Sequence, residues 1–218
     1  MKPEATTETV TVRTAALKAA LLTAGTKDVR YYLNGVYFRK TPEGTRMEST
    51  NGHVILFAWN QVEGDALDGL ILARDDLAEA VKATAKGPRA CRDTVQLEIT
   101  HGGGVPSTVR AILTGCVRTV EVIDGRFPNS DPMLEGELSP VAGVGVSGDY
   151  LGVLGDVARA LSSDKWNGAK LGGQTRTGAL WWSIQCGVGR AGFMVMPLMM
   201  DAPSCWPGAA PAAVKVAA

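Results

Sequence analysis

Apolar and polar positions along the chain repeat one order of periods: strand, helix, strands. Residues 9–12 alternate, and Leu17, Ala20, Leu21 and Ala24 then fall on one helical face before Gly25, with Thr14 placed to cap. Residues 36–38 are a short apolar run, Pro42 and Gly44 mark a turn, and residues 45–49 alternate. Asn51-Gly52 marks a second turn before the apolar run 54–59. The pattern predicts a small antiparallel meander with His53 set just after its glycine turn.

The order restarts after the polar link 61–68. Residues 70–73 read as a strand, and a helix opening at Asp75 or Asp76 carries Leu77, Ala80, Val81 and Thr84 on one face until Gly87-Pro88. Residues 95–100, 109–114 and 116–122 read as strands, with 101–104 as a loop. A third restart has a strand at 144–146, a helix from Asp149 bearing Leu151, Leu154, Ala158 and Leu161, and strands at 180–184 and 193–196. Single apolar helix faces beside alternating strands predict an α+β fold, with helices packed on one face of antiparallel sheets. Residues 201–218 are rich in Ala and Pro and read as a disordered tail.

Composition narrows the function classes. Lys+Arg and Asp+Glu number 22 each, so no global basic charge advertises nucleic acid, although a ring can keep a neutral total and a basic inner face. No apolar run reaches membrane-span length and residues 1–9 lack a signal-peptide core, so no membrane partner is expected. Cys91, Cys116, Cys186 and Cys205 show no CxxC spacing and no neighbouring histidine, which suits free, buried or partly buried thiols in a reducing cytoplasm and no metal site.

Enzyme signatures are sparse. His53 and His101 are the two histidines, no GxSxG occurs, and no paired acids sit in a motif, so no nucleophile–base pair assembles and no catalytic residue is expected. Residues 143–148 spell GxGxxG ahead of a helix, with Asp164 downstream. A dinucleotide site needs a buried strand before those glycines, and Ser139-Pro140 starts a poor one; a nucleotide-binding protein stays a distant alternative and no cofactor is expected.

Four stretches carry a more specific signal: DVRYYLNG at 28–35, TNGH at 50–53, IDGRFPN at 123–129 and FMVMPL at 193–198. In this order they closely resemble the bacterial DNA polymerase III beta subunit, the sliding clamp. The resemblance implies a DNA-clamp fold of repeated strand–helix–strand units, helices lining a central hole and sheets outside. It implies a shortened version: residues 1–134 as the middle domain, 135–200 as a shortened C-terminal domain, and 201–218 as the tail.

The resemblance also implies a non-enzymatic processivity factor that tethers polymerase, clamp loader and repair proteins through linear motifs received in a hydrophobic cleft. Carried over by position, that cleft comprises Leu33, Thr50, Gly52, His53, Ile55, Pro128, Met133, Met194, Met196, Pro197 and Leu198. Methionines and leucines make an adaptable apolar surface, glycine admits a peptide backbone, and His53 can hydrogen-bond a polar motif side chain. Arg30 reads as structural or as the cleft's edge. The chain departs from the family at Val54, at Asn129-Ser130-Asp131-Pro132 and at Met199, where the family carries basic residues.

Encircled double-stranded DNA would be held without sequence preference by helix-borne Arg13, Lys18, Lys82, Lys86, Arg89 and Arg159. A homo-oligomeric ring in the nucleoid-associated cytoplasm is the implied assembly. A second reading keeps the cleft without encirclement, as a decoy or adaptor for clamp-binding motifs.

Overall fold

The computed structural model describes residues 6–88, 92–102, 105–113, 116–141, 144–162, 168–187 and 189–197. The first unit runs β1 (Thr6–Arg13), α1 (Thr14–Thr23), a 3-10 turn (Tyr31–Leu33), β2 (Gly35–Thr41), β3 (Gly44–Thr50), β4 (Val54–Trp59) and β5 (Val62–Glu63). The second has β6 (Ile71–Ala73), α2 (Arg74–Lys86), β7 (Thr94–Gly102), β8 (Val105–Leu113) and β9 (Cys116–Val120). A short helix α3 (Asp131–Leu134) leads to α4 (Gly148–Leu161), β10 (Ala169–Gln174), β11 (Leu180–Ile184) and β12 (Arg190–Val195).

Two antiparallel sheets result, of strand orders β5-β1-β7-β8-β9 and β10-β11-β12-β4-β3-β2-β6. The third unit therefore lies against the first: β12 pairs with β4, Phe193 opposite Leu56 and Met194 opposite Ile55. β4 is buried at every position because it is internal to the sheet and covered on both faces, which is why its sequence VILFAW is continuous rather than alternating. Val54, Leu56 and Ala58 join the large core beneath the helices, while Ile55, Phe57 and Trp59 face a smaller outer cluster with Met194, Ala179 and Trp181.

The helices pack on the inner face of this core. α1 contacts both α2 and α4, and its Ala- and Leu-rich sequence is a strong helix former that can be buried on most sides. Leu77, Ala80, Val81 and Thr84 are the buried stripe of α2, as the spacing predicts. In α4 the buried stripe is Leu154, Val157, Ala158 and Leu161, whereas Leu151 in the first turn is 43% exposed, against expectation.

Three further differences have local causes. Thr14 is the first helical residue rather than a cap; Arg13 takes the cap position with extended backbone and no side-chain bond. Residues 144–146 form no strand of either sheet, since this glycine-rich run offers few side chains to pack, and β7 continues to Gly102 where a loop is expected. Strands β5 and β10 and helix α3 lack the apolar period that would announce them. Residues 201–218, Cys91, Cys205, Gly143 and Asp164 lie outside the described residues.

Candidate functional site

The turn that carries His53 is built by its own side chains. Asn51 Oδ1 accepts from the backbone N–H groups of His53 at 2.9 Å and Val54 at 3.1 Å. Thr50 Oγ1 donates to the Val54 carbonyl at 2.6 Å and accepts from Gly52 N–H at 3.0 Å. Gly52 has φ +90°, which favours glycine, and a Cβ there would stand 2.7 Å from an Arg30 guanidinium nitrogen, so the flexible Arg30 side chain would have to shift. Arg30 reaches the turn by donating to the Asn51 carbonyl, and it is held by Asp28 at 2.7 Å. The Arg30 hydrogen bond lowers the Asp28 carboxyl to about 2.

This turn, the end of β12 and the segment after Phe127 enclose a groove of about 360 Å³. Leu33, Thr50, Gly52, His53, Ile55, Pro128, Met133, Met194 and Met196 all line it, nine of the eleven residues singled out from sequence. Its floor is the pair Ile55–Met194, both almost fully buried; Met196, 40% exposed, stands at the rim, and its N–H donates to the His53 carbonyl at 2.9 Å. Pro197 is half-buried next in the chain and is not among the lining residues, and Leu198 lies outside the described residues. The His53 ring stacks on Tyr150 of α4 with centroids 5.6 Å apart.

Arg30, Tyr32, Val54, Asn129, Ser130 and Thr177 also line the groove. Arg30 stands at the cleft, one of its two readings from sequence. Tyr32, Val54, Asn129 and Ser130 lie in or beside the DVRYYLNG, TNGH and IDGRFPN stretches, and Thr177 arrives on the turn between β10 and β11 with no sequence signal. Sequence reasoning also missed the charges behind the groove wall. Arg46 and Glu48 of β3 are 6% and 0% exposed at their side chains, and Arg46 bridges Glu48 at 2.7 Å and Asp131 of α3 at 2.6 Å.

The six basic candidates are scattered over three helix regions. Arg13 and exposed Lys18 border one depression with Arg92, where α1 begins and α4 ends. Lys82 is exposed on α2 but paired with Glu79 at 2.7 Å, and this pairing lowers the Glu79 carboxyl; Arg159 on α4 is paired with Asp156. Lys86 is exposed in the last turn of α2, and Arg89 lies outside the described residues. Asp75, Asp76, Asp149 and Asp156 share these helices, so their charge is mixed rather than uniformly basic.

Among the described residues no group of three or more His, Cys, Asp or Glu side chains could hold a metal ion, and no helix is long and apolar enough to cross a membrane. Every ladder is antiparallel among the described strands, so no parallel strand precedes α4 as a dinucleotide turn requires.

Residues 9–129, more than half the chain, match the family model for the central domain of the DNA polymerase III beta subunit. The beta sliding clamp of Vibrio cholerae is 32% identical over 146 residues, a region covering 66% of this chain and 37% of that protein. The Caulobacter vibrioides clamp is 32% identical over 110 residues, covering 48% of this chain and 27% of its own length. The chain thus spans well under half the length of these relatives. Among solved structures, Caulobacter crescentus pol III beta superposes with a TM-score of 0.66 at 19% identity, covering 92% of this chain and 68% of that one. The Thermotoga maritima beta subunit superposes at 0.61 with 15% identity, and these structural likenesses speak for the fold. With the clamp fold and the family's central domain both present, the chain belongs to the DNA polymerase III beta subunit family, the sliding clamps of DNA replication.

Proposed function

We propose that this protein is a clamp-type processivity factor whose groove receives short linear motifs of polymerase, clamp loader and repair proteins. The observation that carries this reading is the convergence of nine separately placed residues on one apolar groove with a half-open rim. Its floor is buried Ile55 and Met194 and its edges include Met133 and Met196, which suits partners that share a motif but differ in detail. The role is tethering, not catalysis: a polymerase bound weakly to a clamp stays at high effective concentration near its template.

In this reading residues 1–134 correspond to the middle clamp domain and 135–200 to a shortened C-terminal one, joined through the β4–β12 ladder. Arg13, Lys18, Lys82, Lys86, Arg89 and Arg159 serve as non-specific phosphate contacts for encircled DNA in the cytoplasmic nucleoid. Encirclement requires several chains, and the outer strand β10 of the seven-stranded sheet offers an edge for closure. The mixed helix charge favours a second reading, in which the protein keeps the groove without encircling DNA and acts as a decoy or adaptor.

A synthetic peptide with glutamine, then leucine, ending in an apolar–aromatic pair tests the groove. Binding in the micromolar range, about −8 kcal/mol, is expected by fluorescence anisotropy. No binding at millimolar peptide would refute the reading. Light scattering and retention on circular DNA separate the two versions: a ring-forming oligomer that stays on a closed circle fits the first, and a monomer fits the second.

A further inference from the structure

We propose that Asp131 is the positioning residue of a clasp that holds the segment 128–134 against the sheet and so sets the shape of the groove. The inference rests on the groove being a peptide site. Four lining residues, Pro128, Asn129, Ser130 and Met133, belong to this segment, which has no strand partner to hold it. α3 spans only Asp131–Leu134, has no fully buried residue and carries no side-chain cap. Its own bonds are local, with Met133 N–H donating to the Ser130 carbonyl at 3.0 Å and Asp131 N–H to Asn129 Oδ1 at 3.3 Å. Met133 and Leu134 lean half-buried on the outer cluster, a contact without direction, so polar bonds are left to fix where the segment sits.

The bonds that reach the sheet come from side chains. Asp131 Oδ1 accepts from Arg46 at 2.6 Å and Oδ2 from Arg39 at 2.8 Å, so one carboxylate engages two strands. Ser130 Oγ donates to the second oxygen of buried Glu48. The first oxygen of Glu48 accepts from Arg46 Nε at 2.9 Å and from its terminal nitrogen at 2.7 Å, and Arg39 Nε stands 3.2 Å away as an ion pair. Two guanidinium groups thus meet two carboxylates, and the charges balance only when Asp131 is present. The Arg46 guanidinium lies over two neighbouring rings of β4, 5.5 Å from Phe57 and 5.8 Å from Trp59. It cannot follow Asp131 away from the sheet, so the clasp has one fixed jaw and one on the segment. Without Asp131, buried Arg46 and half-buried Arg39 share Glu48 as their one carboxylate, and the surplus positive charge is costly chiefly at Arg46, which is shielded from water.

Asp131 does not itself line the groove, so its effect on binding is transmitted through its segment neighbours Pro128, Asn129, Ser130 and Met133. Asp131→Asn is nearly isosteric and removes the charge. Wild type and variant are compared by anisotropy with a motif peptide that carries no charged side chain, and by amide hydrogen exchange over residues 129–134. We expect affinity about tenfold weaker and faster exchange in that segment, with exchange in β3 and β4 unchanged. Asp131→Glu should recover part of both. Unchanged affinity, or weakened affinity with unchanged exchange, overturns the clasp, because either result uncouples segment and groove. If Asp131→Asn fails to fold, Arg39→Gln, which spares the Arg46–Glu48 pair, is read in its place by the same criteria. If the wild type binds no peptide, the groove reading is what fails, and exchange alone then decides whether the clasp holds the segment.

Discussion

Ile55 of β4 and Met194 of β12 stand directly opposite one another across an antiparallel ladder, from well-separated parts of the chain. Both face outward from the helices, Ile55 6% and Met194 1% exposed, and together they make the groove floor. Met194→Ala is expected to cost about 2–5 kcal/mol of stability, as large-to-small core changes do. Met196→Glu, at the exposed rim, is expected to abolish peptide binding while shifting stability by no more than about 1 kcal/mol. Urea titration alongside anisotropy checks both, and a folded Met196→Glu protein with wild-type affinity would contradict the groove.

Gly192 is the reason Trp181 can lie over β12. A Cβ at Gly192 would fall 1.8 Å from the Trp181 ring, which is part of the outer cluster and lies 6.2 Å from the Phe57 ring. Gly192→Ala should displace the indole and cost about 1–3 kcal/mol. Near-UV circular dichroism should lose intensity with the substitution. An unchanged spectrum and unchanged stability would show that Trp181 is not packed there.

The Asp28–Arg30 pair gives a pH dependence with a definite sign. The folded carboxyl titrates at about 2, below its ordinary 3.8, so the pair contributes above pH 3.8 and is lost as pH falls through 2. Arg30→Gln should return the Asp28 midpoint toward the ordinary value in a carbon-detected NMR titration. A midpoint near 4 in the wild type would mean that the pair does not form in solution.

Burial pushes the Cys186 thiol up to about 11, whereas Cys116, against the expectation of a buried or partly buried thiol, is exposed on edge strand β9. Since the thiolate is the reactive form, iodoacetamide at pH 8 should label Cys116 much faster than Cys186. Peptide mapping after timed quenching reads the ratio directly. Equal rates would place Cys186 at the surface.

What the chain determines by itself is mainly local. The helix-period stripe of α2, the meander β2–β3–β4 and the Asn51-Gly52 turn follow from side-chain spacing and from bonds within a few residues, so each is legible without the fold. The groove's members were legible in a second way, because DVRYYLNG, TNGH and FMVMPL resemble a family whose residues converge. Tertiary structure alone decided what lies between distant segments. That β12 adds to β4 depends on which edges are free once the first unit has formed, and no period in FMVMPL states it. Leu151 carries the right spacing for a core position, yet it is exposed because α4's buried face is set by where it meets α1. The same holds for Arg46, Glu48 and Asp131: an alternating strand and an acid before a proline read as solvent-facing charge. Arg46 and Glu48 are buried and half-exposed Asp131 covers them because α3 folds back over β3, 85 positions away from Arg46, and a charge leaves water at low cost only when its partners arrive from elsewhere in the fold.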